Sequence, residues 1–88
     1  VLTATITLSE KRNSALFPAL SIFRLCGNFH SRITVRRGNS KSLDTRSVAQ
    51  LQEFTMLRSP SIEIVVTGKD ELNALGGLVD YFNHGLGI

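Results

Sequence analysis

The sequence predicts an α+β domain of the open-faced sandwich kind: four strands in a mostly antiparallel sheet with helices on one face, in the order β-α-β-β-α-β-α. Three observations predict it. The apolar residues alternate at period two in three separate segments, two other segments carry an apolar stripe at helical spacing, and a helix-capping motif marks a third helix. Strands that alternate bury one face only, which argues against a doubly wound parallel sheet, whose strands are apolar on both sides. At 88 residues and 42% hydrophobic content, the chain suits one domain over 1–88 with a single small core.

Leu2, Ala4, Ile6 and Leu8 alternate with Thr3, Thr5 and Thr7, the pattern of a strand with one buried face. Glu10 to Asn13 is polar and reads as a loop. From Pro18 onward, Ala19, Ile22, Phe23 and Cys26 recur at i, i+3, i+4 and i+7, an amphipathic helix with Pro18 in its first turn. Gly27 and Asn28 fit a left-handed C-terminal cap. Ile33 and Val35 then alternate with Arg32, Thr34 and Arg36, a strand with a basic outer face. Gly38-Asn39-Ser40 supplies a turn into a short strand near Lys41 to Leu43.

Ser47-Val48-Ala49-Gln50 matches the capping box S-x-x-Q and places a helix over about Ser47 to Phe54. After a loop at Arg58-Ser59-Pro60, the residues Ile62, Ile64 and Val66 form a third long strand whose outer face Val65 makes partly apolar. Asp70 and Glu71 sit where a helix N-terminus favours negative charge. Leu75, Leu78, Val79 and Phe82 are the buried stripe of the closing helix, and Gly76 and Gly77 within it each cost about 1 kcal/mol relative to Ala.

Composition narrows the function classes. No apolar run approaches the roughly 20 residues that span a bilayer, and no basic-then-apolar leader opens the chain. A single cysteine, Cys26, rules out an internal disulfide and a Cys-based metal site, which together with the preceding observation points to the cytoplasm. The start at Val1 rather than Met is that of a trimmed or excised chain. The net charge of +3 is unevenly spread: Lys11 to Arg46 carries eight basic residues against Asp44 alone, while Ser47 to the C-terminus has two bases against five acids. A basic half of this kind either steers an acidic partner or is simply a solvated face.

Taken together, the element order, Asn13 to Leu20, the stretch Phe29-His30-Ser31-Arg32-Ile33-Thr34-Val35, Arg46 to Gln52, and Thr67-Gly68-Lys69-Asp70-Glu71 resemble the HPr family. These are the phosphocarriers of the bacterial phosphoenolpyruvate-dependent sugar phosphotransferase system. The resemblance runs from about Ala4 to His84 and implies the HPr-like open-faced β-sandwich.

In typical members a Gly-Leu-His-(Thr or Ala)-Arg-Pro segment precedes the first helix; its histidine accepts the phosphoryl group, and its arginine and the helix N-terminal amides hold it. The positions matching it here are Asn13, Ser14, Ala15, Leu16, Phe17 and Pro18, of which only Pro18 agrees. Ala15 offers no nucleophile and Phe17 no charge, so the expectation is a catalytically silent protein, not an enzyme, that needs no cofactor and no metal. Ser14 would form a phosphoester too stable to pass on, and helix capping is its ordinary role. His30, in a loop, and His84, at a helix end, are the remaining acceptors.

The resemblance also places Ser47 at the serine that a regulatory kinase modifies in some members. One branch of HPr-like regulators lacks the histidine, keeps this serine and acts by binding a transcription factor. The capping box accounts for Ser47 without a kinase, so both readings stand. Leu20, Arg24, Val48, Ala49 and Gln52 match the family's partner-docking face, an apolar centre with a basic rim. Leu16 and Phe17 enlarge that patch if exposed, or else pack inward. The expected partner is a protein of the phosphotransferase system or a transcriptional regulator, with no membrane involved. The alternatives are an active phosphocarrier with a non-standard acceptor and, last, nucleic-acid binding through Arg32, Arg36, Arg37 and Lys41, near which only Phe29 is placed for base stacking.

Overall fold

A computed structural model describes residues 1–8, 18–57 and 59–84, with the side chain of His84 excepted. The expected loop at Glu10 to Asn13 lies outside the described residues, as do Ser14, Ala15, Leu16, Phe17 and Arg58. The elements are β1 (Leu2–Thr7), α1 (Ala19–Cys26), β2 (Arg32–Arg37), β3 (Leu43–Asp44), α2 (Val48–Met56), β4 (Ser61–Thr67) and α3 (Glu71–His84). The strands form one sheet in the order β1-β4-β2-β3, and all three pairings are antiparallel.

Register lines up the apolar positions across the sheet. Ile6 faces Ile62, which also pairs with Arg37; Ala4 and Val35 flank Ile64, and Leu2 and Ile33 flank Val66. Ile6, Ile33, Val35, Leu43, Ile62, Ile64 and Val66 are all buried, so this face is the core side. The helices supply Ile22, Cys26, Leu51, Phe54, Ala74, Leu78 and Phe82 to the same core. On the other face Val65 lies between Thr3 and Thr34, half-buried, and Glu63 lies between Thr5 and Arg36. Arg36 pairs with Glu63 at 3.0 Å on that outer face, the cross-strand arrangement expected of opposite charges.

Several elements differ in detail from the sequence reading. Pro18 is the N-cap of α1 rather than part of its first turn, with extended backbone at φ −62°, ψ 129°. Phe23 is 37% exposed and belongs to the solvent side of α1, because the helix seats itself on Ile22 and Cys26. Gly27 is right-handed at φ −65°, with its N–H donating to the Phe23 carbonyl, so α1 ends without a left-handed cap. Gly38 does take the left-handed conformation, φ 62°, which lets the chain turn out of β2. The short strand falls at Leu43–Asp44, pairing Val35 with Leu43 and Thr34 with Asp44. In α3 the buried line is Ala74, Leu78 and Phe82, one helical turn apart, with Leu75 and Val79 packed at its flank.

Arg37 is the largest departure. It continues the Ile33, Val35 alternation, so its side chain enters the core side and is 2% exposed. Its Nε donates to the Ser59 carbonyl at 2.8 Å, and its guanidinium carbon stands 5.5 Å from the centroid of the Phe54 ring. The Nε–H bond to a carbonyl and an aromatic face that receives the charge together offset the burial of the guanidinium.

Candidate functional site

The helix pair α1 and α2 carries the residues the sequence reading assigned to a docking face. The beginning of α1 meets the end of α2 at Pro18, Ala19, Leu20, Gln52, Thr55 and Met56, which line a groove of about 500 Å³. The end of α1 meets the segment before α2 at Phe23, Cys26, Gly27, Thr45 and Arg46, so the two helices run in opposite directions. Solvent-facing side chains of α1 at Leu20, Phe23 and Arg24, spaced i, i+3 and i+4, share one face. On α2 the matching face holds Ala49, Gln52 and Met56, all exposed, with Val48 half-buried beside them.

The structure brings Leu20 and Gln52 together in one groove, while Arg24, Val48 and Ala49 lie on the same two helices outside its lining. Two apolar members were not in the expected set. The helical stripe puts Phe23 in the core, and Met56, 78% exposed, falls two residues past the helix end expected at Phe54. The i, i+4 step from Gln52 to Met56 is the signal that would have found the second. Leu20 at 55%, Phe23 at 37% and Met56 at 78% exposure make this side of the helix pair markedly apolar.

Ser47 caps α2: its Oγ accepts the Gln50 N–H at 3.3 Å. Only that half of the capping box forms. Gln50 Oε1 accepts the Asp44 N–H at 2.8 Å instead of reaching the Ser47 N–H, which donates to the Asp44 carbonyl. The box therefore ties the helix start to β3. Thr45 is buried beneath it and donates through Oγ1 to the Ile33 carbonyl at 3.0 Å. Burial pushes the Cys26 thiol up, offset in part by a hydrogen bond with Thr45.

His30 is exposed in the connection between α1 and β2, and His84 is the last residue of α3. The His30 and Ser31 backbone N–H groups donate to Asp70 at 2.9 Å each, and Ser31 Oγ donates to the same carboxylate. These bonds, Ser31 Oγ first, hold the Asp70 carboxyl below the ordinary aspartate value. They fasten the α1–β2 connection to the start of α3. Of the hairpin cations once grouped for nucleic acid, Arg37 is buried, Arg36 is paired with Glu63, and Lys41 stands 3.7 Å from Glu53. That grouping is not a free basic surface. Among the described residues no cluster of three metal-ligating side chains occurs, and no helix is long and apolar enough to cross a membrane.

Comparison with known proteins follows the same outline. Two curated relatives are the phosphocarrier protein NPr of Klebsiella oxytoca, 27% identical over 92% of this chain and 90% of its own length, and that of Escherichia coli K12, 26% identical over the same shares. Among solved structures, HPr-C-His from Thermoanaerobacter tengcongensis superposes with a TM-score of 0.80 at 22% identity, covering 100% of this chain and 98% of that one. The Bacillus subtilis catabolite repression containing protein Crh, described as a swapped, intertwined dimer, gives 0.65 at 19% identity over 88% of this chain and 82% of its own. The family model described as the PTS HPr component phosphorylation site matches residues 2–84. With that match spanning every described strand and helix, the chain belongs to the HPr family.

Proposed function

We propose that this chain is a docking and regulatory member of the HPr family that does not carry a phosphoryl group in the family manner. The observation that carries the reading is the pair Ala15 and Phe17 at the positions that match the acceptor histidine and its arginine. A methyl group cannot attack phosphorus, and a phenyl ring cannot hold the transferred charge. The apolar side of α1 and α2 supports a role in binding: Leu20 and Met56 are exposed in a groove and Phe23 is exposed one turn along α1 from Leu20, with Arg24 as a cation beside it. Such a surface fits a transient protein partner, either another phosphotransferase-system protein or a transcriptional regulator. Phosphorylation of Ser47 would place negative charge at the N-terminus of α2, where the helix dipole tolerates it, and beside that surface.

A second reading, a working phosphocarrier with another acceptor, rests on the relatives being phosphocarriers and on His30 being exposed. One experiment separates them. The full chain is incubated with phosphoenolpyruvate and the system's first enzyme, and acid-labile label is counted. No label is expected; acid-labile label on His30 or His84 would overturn the proposal in favour of the second reading.

A further inference from the structure

The cations of this protein are unequal. Arg37 is buried, Arg36 is compensated by Glu63 at 3.0 Å, and Lys41 lies 3.7 Å from Glu53. Arg32 and Arg46 differ from these: neither forms an ion pair within the described residues. Both line one cleft of about 380 Å³, together with His30, Asp44 and Thr67. That size lies within the roughly 300–1,000 Å³ of small-molecule sites.

Four segments meet there. His30 comes from the α1–β2 connection, Arg32 opens β2, Asp44 and Arg46 come from β3 and the turn after it, and Thr67 ends β4 in register with Arg32. Arg46 is steadied on the wall, because its Nη2 reaches the His30 carbonyl at 3.4 Å and its N–H donates to Asp44 Oδ1 at 3.0 Å. The nearby acids are engaged: Asp44 Oδ1 takes that N–H, and Asp70 takes donors from His30 and Ser31. Two arginines, a histidine and a threonine thus line one space, with Asp44 the single acidic residue in its lining.

We propose that this cleft is a second ligand site, distinct from the groove lined by Leu20, Gln52 and Met56, and that it binds a phosphate group, either free or as a small monoester. Planar guanidinium forks match phosphate oxygens bidentately, and Thr67 Oγ1 and the His30 ring add shorter-range donors. The Asp44 carboxylate disfavours a bare polyanion and suits a monoester whose hydroxyl groups donate to it. A cleft formed by four segments and open at the sheet's end suits a small molecule better than a nucleic-acid strand, which also needs stacking aromatics.

The test is a titration of the isotope-labelled full chain, followed by backbone amide shifts, with inorganic phosphate and separately with glycerol 3-phosphate, each against sodium chloride of equal ionic strength. Saturable shifts confined to residues 30–32, 44–46 and 67 are expected. Arg32→Gln and Arg46→Gln should each weaken binding about tenfold, the loss of one charge-assisted contact, and Arg36→Gln should leave it intact. Saturation by inorganic phosphate alone identifies the free ion, and tighter binding of the ester identifies the monoester. The proposal is overturned by shifts that sodium chloride reproduces, by binding that survives both arginine substitutions, or by a single-stranded oligonucleotide that occupies the cleft in preference to the ester. Amide dispersion of each variant verifies that it is folded.

Discussion

Gln50 reaches across to Asp44: its Oε1 accepts the Asp44 N–H at 2.8 Å while its own N–H donates to Ser47 Oγ at 3.3 Å. One glutamine therefore connects the shortest strand to the helix that follows it. β3 pairs with β2 through only two residue pairs, so this tie adds to the buried Leu43 and the Ser47 N–H bond to the Asp44 carbonyl in holding it. Gln50→Ala should lower stability by about 0.5–1.5 kcal/mol through the lost bond. Ser47→Ala should cost about 0.5–2 kcal/mol through the lost cap. Urea denaturation measures both, and an unchanged midpoint for Ser47→Ala would show that the hydroxyl is not capping.

Arg37 over Phe54 leads to a larger expected effect. Arg37→Ala strips the Ser59 carbonyl of a buried donor and leaves the Phe54 ring without its cation, for a loss of about 2–4 kcal/mol. Arg37→Lys keeps the charge without the planar fork and should recover part of it. A loss below about 1 kcal/mol for the alanine variant, again by denaturation, would contradict this account.

Acid should loosen the join between the α1–β2 connection and α3. The Asp70 carboxyl is held below its ordinary value, so the folded state binds its proton less readily than the unfolded chain does. Its contribution is complete above the unfolded value and disappears as pH falls through the depressed folded value. Asp70→Asn should therefore be less stable than the parent at neutral pH, with the two stability curves converging in acid. Parallel curves over that whole range would count against the clamp.

The two glycines of α3 should behave differently. A Cβ at Gly76 would meet nothing within 4 Å, whereas one at Gly77 would stand 3.1 Å from Phe29 Cζ. Gly76→Ala should thus raise stability by about 1 kcal/mol, and Gly77→Ala by less because the Phe29 ring must give way. Thermal melts of both variants decide it, and an equal gain would mean that Phe29 moves freely.

Restoring the acceptor tests whether the docking face still serves the phosphotransferase system. Ala15→His combined with Phe17→Arg should accept acid-labile phosphate from the first enzyme, slowly, since neighbouring positions also depart from the family motif. Leu20→Glu added to this pair should abolish labelling, as a charge on the groove wall opposes an apolar partner. A folded double variant that takes no label would place the partner elsewhere.

The strands were legible because one buried face writes itself as alternation: Leu2 to Leu8, Ile33 and Val35, and Ile62 to Val66 all fall where that period put them. The same period, extended one step, would have sent Arg37 inward; its charge concealed this, because a burial pattern reads hydropathy and not the Ser59 carbonyl and Phe54 ring that receive the side chain. Phe23 misled in the opposite sense, since helical spacing fixes which residues share a face but not how wide the covered stripe is. Of the candidate site, Leu20 and Gln52 could be placed by resemblance and do share a groove. The Arg32 and Arg46 cleft could not, because it joins residues distant in the chain and depends on which other cations find acids.

The strand order has a consequence for how the chain is made. β1 is synthesised before every other described element, yet its sole partner strand among the described residues is β4, with Leu2 opposite Val66. While a ribosome is still building the middle of the protein, Ile6 and its apolar neighbours have no sheet to join, and closing so long a loop makes this pairing a slow, non-local step. The hairpin of β2 and β3 can form earlier, but it too waits for β4, which lies between β1 and β2. A nascent chain halted before Ser61 would thus expose both the Ile6 and the Ile33 faces, the kind of species that chaperones engage and proteases clear.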